Sequence, residues 1–439
     1  MTLHIEPDVR ARLDEALRRD DIREVAEIVR QLQAEELEGL FDELGDEWLA
    51  KVASELDPLL AARLLARLSD ADAADVLEEM PPDEAADVVG ELNEEDRQEV
   101  LAEMGREEAA DVELLLTYPP ETAGGRMTTE FHAVPETHAV EDALRQLRHD
   151  GAERDIVSYV YAVDEHQRLT GVVRLHDLVT APLDKRISDL TRREVTSVRT
   201  TDDQEVAARL LRDRNLLALP VVEEDGRLVG IVTADDMAEV LEEEASEDIE
   251  RLGGSQPLEE PYLAASVWHL FRKRIVWLLV LFVASAYTGN VLQFFEDELV
   301  KVVALTLFIP LLIGTGGNTG SQTVSMLVRS MALGEVQMRD LWRVLRRELA
   351  VASLLGIVVA AATYARAWTL GVGPQLGVVV ALTAMLVVVW AAVVAAVLPI
   401  VLRQLKVDPA VASAPFITTL VDGTGLIIYF SIARWLLRI

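Results

Sequence analysis

The 439-residue sequence contains no cysteine, which excludes disulfides and thiolate metal sites. Positive charge is scarce as well: 41 lysines and arginines stand against 75 aspartates and glutamates, a net charge of −34. The deficit is uneven. Residues 1–260 carry 27 basic against 67 acidic side chains, a net of −40, whereas residues 261–439 carry 14 against 8, a net of +6. So acidic a region disfavours nucleic acid or anionic lipid as a partner and favours divalent cations. The first residues follow a polar helical pattern, without the apolar stretch of a cleavable signal peptide. No nucleophile–base pair stands out, and no lysine follows the glycine-rich segment near residue 316, so neither an enzyme nor a phosphate-binding loop is expected.

What the sequence does have, from Ile275 onward, is long apolar runs, near 275–295, 302–328, 349–371, 376–402 and 410–433. Each meets or approaches the roughly 20 residues that cross a bilayer as a helix. Arg272, Lys273 and Arg274 precede the first run; Arg329, Arg339, Arg343, Arg346 and Arg347 follow the second; Arg403 and Lys406 follow the fourth. The first outer loop is instead acidic (Glu296, Asp297, Glu298). Basic loops stay in the cytoplasm, which puts the soluble region there and, after five spans, the C-terminus outside.

Residues 1–125 read as helix, with apolar residues three and four apart, as in Val25, Ile28, Val29 and Leu32. An Ala-Ala-Asp-Val repeat recurs at 73–76, 85–88 and 109–112, which fits helical hairpins stacked into a short superhelix. Pro119-Pro120 and Gly124-Gly125 mark a boundary. A second repeat aligns Tyr159 to Asp177 on Ala218 to Asp236 at an offset of 59, each copy reading strand, turn, strand, helix. It resembles a tandem pair of CBS domains, a regulatory module that often holds adenosine nucleotides such as ATP between its copies. The second copy keeps the usual ending, with Thr233 and Asp236 as the nucleotide-binding candidates; the first has Arg174 where Thr or Ser is usual. After it, Glu242, Glu243, Glu244, Glu247, Asp248 and Glu250 crowd one helical stretch. Like charges four apart repel by a few tenths of a kcal/mol, roughly, so either a cation compensates or the face is simply solvated.

Two membrane features remain. The segment from Pro310 to Gln322 holds four glycines and Asn318, which either break a helix to expose carbonyls to a watery cavity or let helices approach closely through Gly316 and Gly320. In the last run Asp408-Pro409-Ala410 opens the span and Asp422 follows, roughly 21 Å along a continuous helix. An intramembrane carboxylate costs about 3 kcal/mol or more and marks a functional site unless a partner neutralises it; Arg366 and the neighbouring Thr418, Thr419 and Thr424 are the alternatives. Carboxylate, hydroxyl and carbonyl oxygens suit a hydrated Mg²⁺, and a symmetric dimer would supply two such carboxylates.

The whole order resembles the MgtE family of bacterial magnesium channels and transporters. It rests on Tyr118-Pro119-Pro120 through Thr122-Ala123-Gly124-Gly125 to Met127-Thr128, on Gly314 to Gly320 with Gln322, and on Asp408-Pro409-Ala410 with Asp422. The resemblance implies a multidomain membrane protein: an all-α superhelical N-terminal domain (1–125), an α+β tandem CBS pair (126–185 and 186–245), a connecting plug helix (246–271) and a five-helix transmembrane domain (272–439). It implies a homodimer in the cell membrane that takes up Mg²⁺ and is closed by cytosolic Mg²⁺. Asp422 matches the central pore carboxylate and Asp408 the cytoplasmic mouth, with Thr418 and Asn318 beside the pathway. The matching regulatory metal positions are Asp83, Asp87, Asp203, Glu205, Asp236, Glu239, Glu244, Glu247 and Asp248. Asn215 and Ala414 stand where some members have Asp and Asn, so no metal role is carried onto them. Bound Mg²⁺ would bridge acidic domains that otherwise repel, provided it binds the closed state more tightly. Transport of another divalent cation, such as Co²⁺ or Mn²⁺, and a membrane-anchored metal or nucleotide sensor that transports nothing stay open as rivals.

Overall fold

A computed structural model describes residues 7–19, 21–29, 45–150, 159–258, 262 and 265–438; Leu32 lies outside the described residues. The chain forms two compact units, Met1–Glu244 and Ala245–Ile439.

The first unit opens with short helices: Pro7–Arg19 (α1), Ile22–Val29 (α2), Asp46–Ser54 (α3), Pro58–Leu65 (α4), Asp70–Glu78 (α5), Pro82–Glu91 (α6), Glu94–Glu103 (α7) and Arg106–Leu115 (α8). Caps keep them short. Asp57 accepts the Leu59 amide at 3.1 Å, Ser69 that of Asp72 at 3.2 Å, and Asn93 those of Glu95 and Asp96, both at 3.1 Å. From α3 onward each helix packs on the next but one, giving the expected superhelix. The Ala-Ala-Asp-Val repeat is its packing code: Ala73, Ala74 and Val76, then Ala85, Ala86 and Val88, are buried where helices approach.

The second repeat folds as two copies of one plan. The first has Ala133–Pro135 (β1), Val140–Asp150 (α9), Tyr159–Val163 (β2), Leu169–Arg174 (β3) and Leu175–Thr180 (α10). The second has Val198–Arg199 (β4), Gln204–Arg214 (α11), Ala218–Val222 (β5), Leu228–Thr233 (β6) and Ala234–Leu252 (α12). In each, a parallel strand flanks an antiparallel hairpin. Tyr159 pairs with Arg174 and Ala218 with Thr233, and both hairpins are irregular at the same point, Ala162/Val163 and Val221/Val222. The hairpin tips join reciprocally: the Leu169 amide donates to Gly226 O at 3.1 Å and the Leu228 amide to Gln167 O at 3.0 Å. Both tips need a left-handed backbone, φ 86° at Gly226 and φ 60° at Gln167. Glycine adopts it without strain, and glutamine does not.

The second unit contains Val267–Phe294 (α13), Glu296–Lys301 (α14), Ile309–Ala332 (α15), Leu341–Thr369 (α16), Pro374–Gln404 (α17) and Ala414–Leu437 (α18). Among the described residues, five segments are long and apolar enough to cross a membrane: Val267–Phe294, Val303–Ala332, Met338–Thr369, Pro374–Gln404 and Ala414–Leu437. The first begins at Val267 rather than near 275, because Ser266 caps it by accepting the His269 amide at 3.1 Å. Arg272, Lys273 and Arg274 are therefore carried inside a helix, their long stems able to reach a membrane surface. The third likewise starts earlier, at Met338. Packing centres on α17, whose Ala384, Ala391, Ala392, Ala395 and Ala396 are buried against neighbouring helices. Small residues at such faces let membrane helices approach, since apolar bulk alone gives no preference over lipid.

Two expectations change here. The glycine-rich segment does not break its helix: α15 runs unbroken through Gly314 to Gly320. A Cβ on Gly316 would lie 2.7 Å from Val387 and 2.8 Å from Val421, on Gly317 2.8 Å from Thr418, and on Gly320 2.6 Å from Ile417. The glycines seat α15 against α17 and α18, so close approach is the reading that holds. Nor does Asp408 open the last span. It caps a separate 3-10 turn, Pro409–Val411, and α18 starts at Ala414. Asp422 then lies about 12 Å into its helix rather than 21 Å from Asp408 along one axis.

Candidate cation sites

Acidic side chains gather in the first unit where α6 meets α12. Pro82 opens α6 and places Asp83 and Glu84 in its first turn, with Asp87 one turn on. On α12, Asp236, Glu239 and Glu243 recur three and four apart and share a face. Burial pushes the Asp83 carboxyl up to about 7, with the Asp236 charge adding to it. Burial also pushes Glu84 up to about 7. Asp87 rises to about 6 by burial, against the pull of the Arg126 guanidinium. Asp236 and Glu239 are raised by burial too, Glu239 with help from Glu243. A helix N-terminus should lower Asp83 and Glu84, so desolvation wins over the helix dipole here. Asp83 Oδ1 and Glu84 Oε2 are buried without a hydrogen-bond partner. Such orphaned oxygens are costly unless a proton or a cation reaches them.

One internal cation already sits there. Arg126 pairs with Asp87 at 3.5 Å and Glu243 at 2.7 Å, and donates to Gln204 Oε1 at 2.9 Å. Gln204 is only 5 % exposed and passes the contact on, donating to Glu244 at 2.7 Å. Burial raises the Glu244 carboxyl despite that hydrogen bond, with Glu205, Asp203 and Glu121 adding to it. Asp203 is committed as the cap of α11, accepting the Glu205 amide at 2.8 Å, and Glu205 pairs with Arg209. The carboxylates thus form two groups joined through Arg126 and Gln204. Among the described residues, no three carboxylates or histidines converge as a ready-made metal cage. The unpartnered Asp83 and Glu84 oxygens are hard donors of the kind a divalent cation takes.

Thr233 and Asp236, the nucleotide candidates, are turned on each other. Thr233 is 4 % exposed and its hydroxyl donates to the Asp236 carboxylate. The equivalent Asp177 of the first copy pairs instead with Arg192 at 3.2 Å.

In the second unit Asp422 sits half-buried on α18, and its Oδ1 is buried with no hydrogen-bond partner. Among the described residues no ion pair joins it to Arg366. The nearby threonines serve their own helix: Thr418 donates to Ala414 O, Thr419 to Pro415 O and Thr424 to Leu420 O, each at 2.9 Å. Thr418 lies one turn before Asp422 and 3.4 Å from Ser321 on α15. Asn318, on the same helix as Ser321, is exposed. Asp408 accepts the Ala410 amide at 2.8 Å and pairs with Arg251 near the end of α12; Arg251 also holds Glu247. On α14, Glu298 is 5 % exposed and takes the Arg434 Nε at 2.9 Å, while that guanidinium lies 5.2 Å over Phe295.

Sequence reasoning missed four of these residues. Glu243 was legible from its seven-residue spacing to Asp236, but a run of acids masked it. Glu84 and Arg126 become meaningful only once the fold brings the acids of α6 and α12 near one another. Glu348 accepts the buried Thr323 hydroxyl at 3.4 Å within the third span, and its neighbours Arg346 and Arg347 made it read as part of a loop.

A multi-pass helical membrane unit carrying an acidic soluble unit with a CBS-like pair is therefore the class of protein the geometry defines. Family models agree with it: the divalent cation transporter domain of MgtE matches residues 309–432, the MgtE intracellular N domain 4–121, and the CBS domain 123–184 and 187–243. The magnesium transporter MgtE of Thermus thermophilus is 43 % identical over 329 residues, 75 % of this chain and 73 % of that protein. The Bacillus subtilis magnesium transporter MgtE is 35 % identical over 324 residues, 73 % of this chain and 71 % of that one. Among solved structures, the cytosolic domain of the Mg²⁺ channel MgtE in complex with ATP is 37 % identical, covering 52 % of this chain and 99 % of that one, with a TM-score of 0.39. The chain belongs to the MgtE family.

Proposed function

We propose that this chain moves Mg²⁺ across the cell membrane through the five-helix unit, with Asp422 as the carboxylate that meets the ion. The observation that carries it is the buried, unpartnered Asp422 Oδ1. A carboxylate held at membrane depth without a counter-charge is costly and marks a functional site, and a visiting cation would offset that cost. Asp408 and Thr418 line the same route on this reading, with Asn318 entering from the exposed side of α15. The exposed apolar faces of α13 and α16, including Phe282, Val283, Leu354 and Val358, meet lipid or a second copy. A homodimer would supply a second Asp422. The cytosolic side holds the N-terminal domains and, after five spans, the C-terminus lies outside.

The acidic groups around Arg126 and Gln204 are the regulatory Mg²⁺ sites on this reading, and Asp203, Glu205, Glu247 and Asp248 extend them. Cation binding to Asp83, Glu84, Asp87, Asp236 and Glu239 would hold α6 on α12 and favour closure. ATP would sit between the two CBS copies.

Proteoliposomes holding the purified chain and a Mg²⁺ indicator test this. Mg²⁺ entry is expected with the native sequence and lost in Asp422→Ala that still elutes as folded protein. Entry that survives the substitution, or none with the native sequence, rejects the reading; the second result leaves a membrane-anchored sensor.

A further inference from the structure

Both oxygens of Asp408 already have partners. Its Oδ1 accepts the Ala410 amide at 2.8 Å, and its Oδ2 is taken by the Arg251 guanidinium. The other arm of that guanidinium holds Glu247, one turn earlier on α12. Arginine stays charged at every working pH, and its rigid fork suits two carboxylates at once.

The seat under this arginine is well built. Leu252 packs on the apolar cluster of Ala410, Ala412 and Ile417. Gly254, with φ 79°, lets the chain turn against Trp277, where a Cβ would come within 2.7 Å of the indole. The turn then folds onto the first span: the Leu258 amide donates to the Glu250 carboxylate at 2.8 Å and the Gln256 amide to Lys273 O at 3.1 Å. The end of α12 is thus fixed on the same elements that carry Asp408.

We propose that Arg251 is a tethered cation at the mouth of the pathway. With the end of α12 seated, its guanidinium occupies the carboxylate that a permeating divalent ion would otherwise use. Passage requires Arg251 to leave Asp408, so this one side chain links the position of the helix end to access at the mouth. The inference rests on the transport reading above and adds a positioning residue to it.

The test uses the full chain in proteoliposomes, as the native sequence, R251Q and R251K, with saturating Mg²⁺ on the cytosolic face. Because the sequence lacks cysteine, L252C in each background gives a single thiol whose maleimide labelling reports whether the helix end is seated. R251Q is expected to raise residual flux about fivefold, the size of a part-exposed ion pair, and to speed labelling. R251K, which keeps the charge but not the fork, is expected to fall between R251Q and the native sequence. In D408N the R251Q change is expected to add nothing further. Flux in R251Q that is unchanged or lower overturns the proposal, as does equal behaviour of R251Q and R251K. No flux from the native sequence would instead sink the transport reading, and L252C labelling would still decide whether Arg251 holds the seat.

Discussion

Among the described residues, several carboxylate oxygens are buried without hydrogen-bond partners, and two of the places that hold them do so by opposite means. Where α6 meets α12, at least six acidic side chains crowd together and share one arginine; in the spanning unit, Asp422 stands without an ion pair. In the crowded site, charge is tolerated by raised carboxyl affinity for protons, by Arg126 and, on the proposed reading, by Mg²⁺. A cluster of this kind responds in degrees as cations bind. A lone intramembrane carboxylate has no such reserve, so its occupancy is closer to all or none. The first arrangement suits a sensor and the second suits a pathway.

Swapping the same chemistry between the two sites should break the comparison most sharply. Asp422→Asn is expected to lower Mg²⁺ flux by about two orders of magnitude, the worth of one charged contact of about 3 kcal/mol, and to leave melting of the soluble unit unchanged. Asp83→Asn should do the reverse, sparing flux at low cytosolic Mg²⁺ while weakening the Mg²⁺-dependent rise in melting temperature. Equal effects of the two substitutions on flux would erase the distinction.

The next effect is pH. The Asp83 and Glu84 carboxyls rise to about 7 and Asp87 to about 6, above ordinary carboxylate values near 4. The folded form therefore binds more protons than the unfolded form across this window, and stability falls as pH rises through it. Without divalent cation, the soluble unit is expected to melt about 5 °C or more lower at about pH 8 than at about pH 5.5. Added Mg²⁺ should restore most of that loss at the higher pH and little at the lower. A flat or rising profile in calorimetry would show that burial does not govern these groups.

Smaller again is the share of the internal cation. Arg126→Gln is expected to lower cation-free stability by about 1–3 kcal/mol, since Asp87 and Glu243 lose their common partner, and to enlarge the Mg²⁺ response. The smallest effect separates copies of one repeat. Asp75 is exposed, whereas the equivalent Asp87 faces Arg126. Asp75→Asn is expected to change stability by less than about 0.5 kcal/mol and leave the Mg²⁺ titration as it was, and Asp87→Asn to shift it.

Much of this architecture was written in local patterns. The 59-residue offset anticipated two hairpins that match down to their irregular residue, because strand alternation and turn chemistry are set by neighbours in sequence. The spans were legible from apolar length, but their starts were not: Ser266 caps the first helix well before its apolar run begins, and a cap overrides composition. The glycines between Gly314 and Gly320 left two readings open, since only the partners Val387, Thr418 and Ile417 show that the helix continues and packs closely. In the candidate sites, Asp422 announced itself by isolation in apolar sequence. Arg126 and Arg251 did not, because each matters through residues far along the chain, Asp87 and Glu243 for one and Asp408 for the other.

The central claim is that the acidic sensor and the lone carboxylate serve one ion. The most direct measurement is Mg²⁺ flux through the reconstituted chain while Mg²⁺ on the cytosolic face is raised in steps, with Asp83→Asn and Asp422→Asn beside the native sequence. Flux that falls as cytosolic Mg²⁺ rises, needs more Mg²⁺ to fall in Asp83→Asn, and is lowered about a hundredfold in Asp422→Asn is the expected result. Flux through the native sequence that does not depend on cytosolic Mg²⁺ would contradict the account.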